Sequence, residues 1–344
     1  MRGYIHTHCK EFLQMIQGAQ RIVLVGHLNP DGDCIGSLTG LKRFIFHAFE
    51  GKEVTIAVPT SFPGFLNFLD PKKEILINKQ SPSAVKEKIA QCDLLVCMDL
   101  GSPARTENME EAVRGCTAPK ILIDHHLDPE NFANLVFSFT QVSSASEITY
   151  WLLKECSEGK PLAQDVMESL ATGLITDTNN FSNSIFPSTF LMASELVECG
   201  FNIGQVQDNV LSSYSEERMR LMGQMLLEKM IVFKDLNASL MILDQKTQKK
   251  FNYQTGDSEG FVNLPLRIAG VSISGLFTEQ EGFVRVSLRS KGDISVNELS
   301  KRYFNGGGHK NAAGGRLYMG IDRIAEYYEN SVREFLKGIT FDKK

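Results

Sequence analysis

Within the run His27-Leu28-Asn29-Pro30-Asp31-Gly32-Asp33, one imidazole sits beside two carboxylates. Pro30 and Gly32 favour a turn over a helix, so both aspartates are free to converge on one point. Mixed oxygen and imidazole donors suit manganese, magnesium, iron or zinc better than calcium. An Asp-rich turn also caps a following helix, and this segment alone does not separate the two roles. Three further clusters repeat the chemistry. Asp99 closes the run Leu94-Leu95-Val96-Cys97-Met98, Asp124-His125-His126 closes Ile121-Leu122-Ile123, and Asp177 closes Gly173-Leu174-Ile175-Thr176. Each has an ordinary reading by itself: a helix cap, a pair of surface histidines, a helix end. Adjacent histidines cannot both point the same way, so one suits a compact metal site and the other can face a substrate. Together the clusters supply enough donors for two cations with one carboxylate bridging. Two cations about 3.5–4 Å apart polarise a phosphoryl group and lower the pKa of water. Four of the seven histidines lie in these clusters or in the glycine-rich segment near residue 306, which leaves few for a rival constellation.

The elements that must position these residues follow from hydropathy. Arg21–Val25, Val54–Val58, Leu94–Met98 and Ile121–Ile123 read as short buried strands, and an apolar-periodic helix is expected over 35–49. Strand alternating with helix predicts an open, mostly parallel, doubly wound sheet with helices on both faces. Ligands of such sheets bind at the carboxyl ends of strands, where the first three clusters fall; Asp177 follows a helix. From Pro187 to about Val232 the pattern is helical with no strand signal. Lys234–Phe251 reads as a hairpin turning at Leu236-Asn237, and Glu281-Gly282 as a second hairpin turn within apolar alternation. Asn305–Gly315 reads as a glycine-rich loop. The expected organisation is α/β: a metal-binding domain over 1–190, a helical connector over 191–230, and a smaller C-terminal α/β domain over 231–344.

The ordered set H-x-N-P-D-G-D, a lone Asp after a strand, D-H-H and a later Asp resembles the DHH phosphoesterase superfamily. Val286–Ser290 (V-S-L-R-S) and Gly306–Gly314 (G-G-G-H-K-N-A-A-G) resemble its DHH-associated domain. The resemblance spans about residues 5–335 with the motifs in the family's order. It implies that His27 and Asp31 bind one metal, that Asp33, His125 and Asp177 bind the other, and that Asp99 bridges and is catalytic. It implies a catalytic His126 contacting the scissile phosphate or its leaving oxygen. Arg289, Gly306, Gly307, Gly308 and His309 would hold substrate, and the glycines let backbone N–H groups approach phosphate closely. Arg105 is a further candidate for neutralising phosphate. Two divalent cations are implied, manganese first among them. Asn305 stands where many relatives carry glycine, although Asn also tolerates left-handed backbone.

Length and composition bound the rest. A chain of 344 residues exceeds one core of ordinary size, so two domains are expected. Hydrophobic residues make up 42% and charged residues 22%, which is ordinary for a globular chain. No apolar run approaches the roughly 18 residues that span a bilayer, and Met1–Gln20 lacks a signal-peptide core. A cytoplasmic protein is expected, with no membrane partner. The seven cysteines include no C-x-x-C pair, so neither a disulfide framework nor a cysteine zinc site is expected. The net charge of −5 argues against a grip on long duplex nucleic acid. The basic surplus is local: Arg285–Arg316 holds seven Lys or Arg against two acids. With no sensory segment ahead and no oligonucleotide-binding barrel behind, the resemblance implies the branch that degrades very short RNA and dephosphorylates 3′-phosphoadenosine 5′-phosphate (pAp). The alternatives are an exopolyphosphatase-related enzyme and a pApA or cyclic-dinucleotide phosphodiesterase. A homodimer is an open expectation. A non-catalytic nucleotide-binding module would be expected to lack one of the metal ligands, and none is missing.

Overall fold

The computed structural model describes residues 1–212, 214–254 and 256–341. The chain divides into two compact units, Met1–Ser213 and Tyr214–Lys344.

The first unit runs α1 (Arg2–Gly18), β1 (Arg21–Val25), α2 (Gly32–Ala48), β2 (Glu53–Val58), β3 (Leu76–Ile77), α3 (Pro82–Gln91), β4 (Leu94–Met98), α4 (Glu110–Gly115), β5 (Lys120–Asp124), β6 (Leu135–Ser138), α5 (Ala145–Cys156), α6 (Gln164–Asp177), α7 (Pro187–Glu198) and α8 (Ile203–Leu211). Its strands pair in the order β3-β2-β1-β4-β5-β6, and every pairing is parallel. The continuous apolar runs exist because both faces are covered. Ile22, Leu24, Val96, Met98, Ile121 and Ile123 join one core with α1, α2, α5 and α6. The alternate residues Val23, Val25, Leu95, Cys97 and Leu122 join a second core with α3 and α4. The strand order reverses between β1 and β4, so the loops leaving their carboxyl ends diverge and open a crevice there.

The second unit runs α9 (Glu216–Leu227), β7 (Met230–Phe233), β8 (Ala238–Leu243), α10 (Gln245–Lys250), β9 (Ile273–Gln280), β10 (Phe283–Ser290), α11 (Val296–Tyr303), β11 (Gly307–His309), β12 (Ala312–Leu317) and α12 (Ile324–Phe341). Its sheet is mixed, in the order β11-β12-β10-β9-β8-β7, with β8 and β9 parallel and the other pairs antiparallel. On one face Val284, Val286 and Leu288 pack with Leu299 of α11 and Tyr328 of α12. Met241 and Leu276 pack on the other with Leu221 and Met225 of α9.

Three expectations change. The helical stretch over 191–230 is not a free connector. Met192, Leu196, Val206 and Val210 bury into the first unit's core, whereas α9 packs within the second unit. The hairpin at Leu236-Asn237 turns where expected, with Asn237 left-handed at φ 49°, but its first strand begins at Met230 and residues 245–250 form a helix. The glycine-rich segment is a hairpin of β11 and β12 rather than a loop. Among the described residues no helix is long and apolar enough to cross a membrane. All seven cysteines are free, and the Cys92 and Cys116 sulfurs lie 3.7 Å apart.

Candidate metal centre and phosphate-binding hairpin

The turn after β1 ends by capping α2. One oxygen of Asp31 accepts from the Asp33 and Cys34 amides at 3.0 and 3.1 Å, as a helix N-cap does. The same oxygen lies 3.9 Å from His27 Nε2. Asp33, in the first turn of α2, is 1% exposed. Its two oxygens accept from the Ala145 and Ser146 amides at 2.7 and 2.8 Å. Those amides open α5 and have no partner within their own helix, so a carboxylate satisfies them. The approach of α6 to α2 depends on small residues. A Cβ on Gly36 would meet the Ser169 carbonyl at 2.5 Å, and one on Gly173 would meet Ser146 Oγ of α5 at 1.9 Å and Asp33 Oδ1 of α2 at 2.7 Å. That approach brings Asp177, the last residue of α6, into the cluster.

Asp99 leaves β4 with φ +57°, a conformation that Asp tolerates better than most residues. Its amide donates to the Ile123 carbonyl at 2.9 Å, so the turn is tied to β5. Asp99 is 2% exposed, and its Oδ2 lies 3.1 Å from His27 Nε2. Its Oδ1 is 3.4 Å from His125 Nε2 and 3.7 Å from His126 Nδ1, and is buried without a hydrogen bond of good geometry. His125 Nε2 also lies 3.8 Å from Asp33 and 3.7 Å from Asp177. The adjacent histidines diverge, with ring planes 64° apart. His126 turns to Asp124, whose Oδ1 is 2.8 Å from Nδ1 and whose Oδ2 accepts from the His126 amide at 3.1 Å. Arg105 Nη1 stands 2.5 Å from His126 Nε2. Arg105 can only donate, so Nε2 accepts, and the ring proton belongs on Nδ1 facing Asp124.

The electrostatics show crowded like charges. Burial pushes Asp33 well above the usual carboxylate range, and the charges of Asp99 and Asp177 push it further. Burial also works against Asp99, but contacts with His125 and His27 hold its carboxyl well below that range. Burial opposes charging His125, yet Asp177, Asp99 and Asp33 raise it to about 10. His126 moves the opposite way, lowered by burial and then by Arg105. A cation among Asp33, Asp99 and Asp177 would relieve this repulsion and give the bare Asp99 oxygen a partner. Donor atoms of Asp33, His125 and Asp177 lie within 4.8 Å of one another, as do those of His27, Cys34 and Asp99. The donor set therefore fits divalent cations. Cys34 is a neighbour the sequence did not flag. Burial, then Asp99 and Asp31, push its thiol well up, and a protonated thiol is a poor ligand.

In the second unit, Arg289 lies on the half-exposed face of β10, opposite Val286 and Leu288. Its Nη1 donates to the Leu288 carbonyl at 3.0 Å. Gly306 and the β11 residues Gly307, Gly308 and His309 are half-buried. A Cβ on Gly306 would meet the Gly314 carbonyl at 1.8 Å, so no other residue fits there. Asn305 is left-handed at φ 48°, which removes the difficulty of its departure from glycine. Asn297, absent from the sequence reading, accepts from the Gly308 amide at 2.9 Å and fixes the hairpin against α11. Nothing in its local sequence marks it, because its partner is eleven residues away.

Residues 21–174 match the model of the DHH family N-terminal domain, and residues 237–339 match the DHHA1 domain. The probable bifunctional oligoribonuclease and PAP phosphatase NrnA of Streptococcus mutans is 30% identical over 91% of this chain and 94% of its own length. The bifunctional oligoribonuclease and PAP phosphatase NrnA of Bacillus subtilis is 28% identical over 94% and 98%. The crystal structure of an exopolyphosphatase-related protein from Bacteroides fragilis superposes with a TM-score of 0.88 at 36% identity, covering 96% of each chain. With both domain models matched in order and its relatives aligned nearly end to end, the chain belongs to the DHH family, as a DHH domain followed by a DHHA1 domain.

Proposed function

We propose that this chain is a two-metal phosphoesterase that hydrolyses short oligoribonucleotides and pAp. The observation that carries the reading is the convergence of buried His27, Asp33, Asp99 and His125 with half-buried Asp177 at the switch point of a parallel sheet. His27 and Asp31 would hold one cation, Asp33, His125 and Asp177 the other, with Asp99 shared. When bound, such ions supply Lewis-acid polarisation of the phosphoryl group and activation of water. Asp124 holds His126 in the tautomer that leaves Nε2 as an acceptor, beside the Arg105 guanidinium. In this reading that pair meets the phosphate, with Arg105 countering its charge. Arg289, the Gly306–Gly308 backbone and His309 bind the substrate's terminal phosphate, which favours short chains over long ones. Manganese as the native ion, a cytoplasmic location and a homodimer complete the reading.

The names of the relatives support the substrate class, and the acidic net charge supports the length limit. The test is one panel: purified protein with manganese against pAp, RNA of two to five nucleotides and of 24, pApA, cyclic di-AMP and polyphosphate. Fast turnover of dinucleotides and pAp, with decline as RNA lengthens, is expected. Equal rates on dinucleotide and 24-nucleotide RNA would overturn the length limit. Preference for polyphosphate or a cyclic dinucleotide would move the assignment to those substrates.

A further inference from the structure

We infer that Glu147 is a positioning residue for the metal centre, acting through the start of α5 on Asp33 and through α7 on the segment that follows Asp177. The inference rests on the proposed metal-binding reading. Ser144-Ala145-Ser146-Glu147 has the spacing of a capping box, in which the Glu side chain would accept from the cap residue's own amide. Half of that pattern is present: Ser144 Oγ accepts from the Glu147 amide at 3.0 Å. The carboxylate, however, goes elsewhere. Its Oε2 accepts from the Ser143 amide at 2.9 Å, from Ser143 Oγ at 2.6 Å and from Thr189 Oγ1 at 2.8 Å. Oε1 is buried with no hydrogen-bond partner, and the whole residue is 0% exposed.

An ordinary helix cap lies where water covers its second oxygen. Sealing a carboxylate with one bare oxygen destabilises the fold, and a helix start does not require it. What the arrangement does is join three segments at one atom. Ser143 and Ser144 lead directly into the Ala145 and Ser146 amides that hold both oxygens of Asp33. Thr189 Oγ1, besides donating to Glu147, accepts from the Phe186 amide at 3.1 Å and so closes the start of α7. Residues 178–186 run from Asp177 to that start, and four of them (Asn179, Asn180, Phe181 and Ser184) have positive φ. Backbone in such conformations persists only when its surroundings hold it. Glu147 therefore tethers the amide cradle of Asp33 and the far end of the segment leaving Asp177, without touching either carboxylate.

The test is a manganese titration of metal-free protein, read by calorimetry, on wild type, Glu147→Ala, Glu147→Gln and Thr189→Val. Circular dichroism and thermal melts of the metal-free proteins run alongside. Glu147→Ala should weaken manganese binding about 10- to 100-fold, the usual effect of removing a group that supports a ligand. Thr189→Val should weaken it less. Glu147→Gln keeps one oxygen for the three donors and should recover most of the affinity. In steady-state assays Glu147→Ala should lower kcat more than it changes KM. A folded Glu147→Ala protein with wild-type manganese affinity overturns the inference, as does Glu147→Gln as impaired as Glu147→Ala. Should Glu147→Ala fail to fold, Thr189→Val decides, and unchanged affinity there overturns it equally. A wild type that takes up no manganese would instead overturn the metal-binding reading itself.

Discussion

Asp33, Asp99, His27 and His125 in the first unit are each 5% exposed or less, and each is contacted by another member of the cluster. Gly306, Gly307, Gly308 and His309 in the second unit are half-buried, on a hairpin whose main feature is missing side chains. The first region concentrates charge in a buried place where like charges repel, so it is poised for a cation. The second strips the backbone of side chains, and in the proposed reading that lets N–H groups meet an anion. Burial strengthens every electrostatic contact, favourable or not, whereas contacts at a half-buried hairpin are weakened by nearby water. Damage to the first region should therefore abolish function, and damage to the second should grade it.

Asp99→Ala is the harshest test of that contrast. One side chain serves both proposed ions, so the variant should lose tight manganese binding, and activity should fall on the order of 10³-fold, which corresponds to several kcal/mol. Elemental analysis and dinucleotide hydrolysis check it; full metal content with normal turnover would break the comparison. Next comes metal removal. Manganese at about 100 times its Kd should stabilise the first unit by about 2.7 kcal/mol for each ion bound. Calorimetry with and without chelator should show that gain there and no matching shift in the second unit. Arg289→Ala should lower kcat/KM on dinucleotides and pAp about 10- to 100-fold, the range for one charge-assisted contact, with both metals retained. Unchanged kcat/KM would remove the second region from substrate binding.

The smallest effects distinguish neighbouring glycines. Gly306→Ala pushes a methyl into backbone and should cost about 1–3 kcal/mol in a denaturant melt. At Gly307 the nearest atoms to a new Cβ are Asn297 Oδ1 at 3.4 Å and Lys301 Cε at 4.0 Å. Gly307→Ala should stay within about 0.5 kcal/mol of wild type. Equal losses at both positions would mean that the hairpin's glycines are not divided between packing and access.

Much of the first unit was legible because its signals are local. The strands β1, β4 and β5 are short apolar runs, and an acid or histidine stands at the end of each. The hairpin at Glu281-Gly282 was equally plain, since apolar residues alternate on both sides. The second glycine hairpin was not, because glycines leave no alternation to read and its strands show only in their pairing. The stretch over 191–230 read as a connector because helical periodicity shows that a face is buried without showing against what.

By itself the sequence determined which residues stand at the ends of which elements, since that depends on spacing along the chain alone. It determined the donor types, and hence the kind of ion they suit. Only the tertiary structure decided which donors meet. Asp33 reaches the amides of α5, and Asp177 reaches His125, because the strand order reverses between β1 and β4 and because Gly36 and Gly173 let α2 and α6 approach. Glu147 reads as a routine cap until Thr189 is placed beside it. Periodicity records that a face is buried, but the partner on that face is chosen by long-range packing, which no local pattern carries.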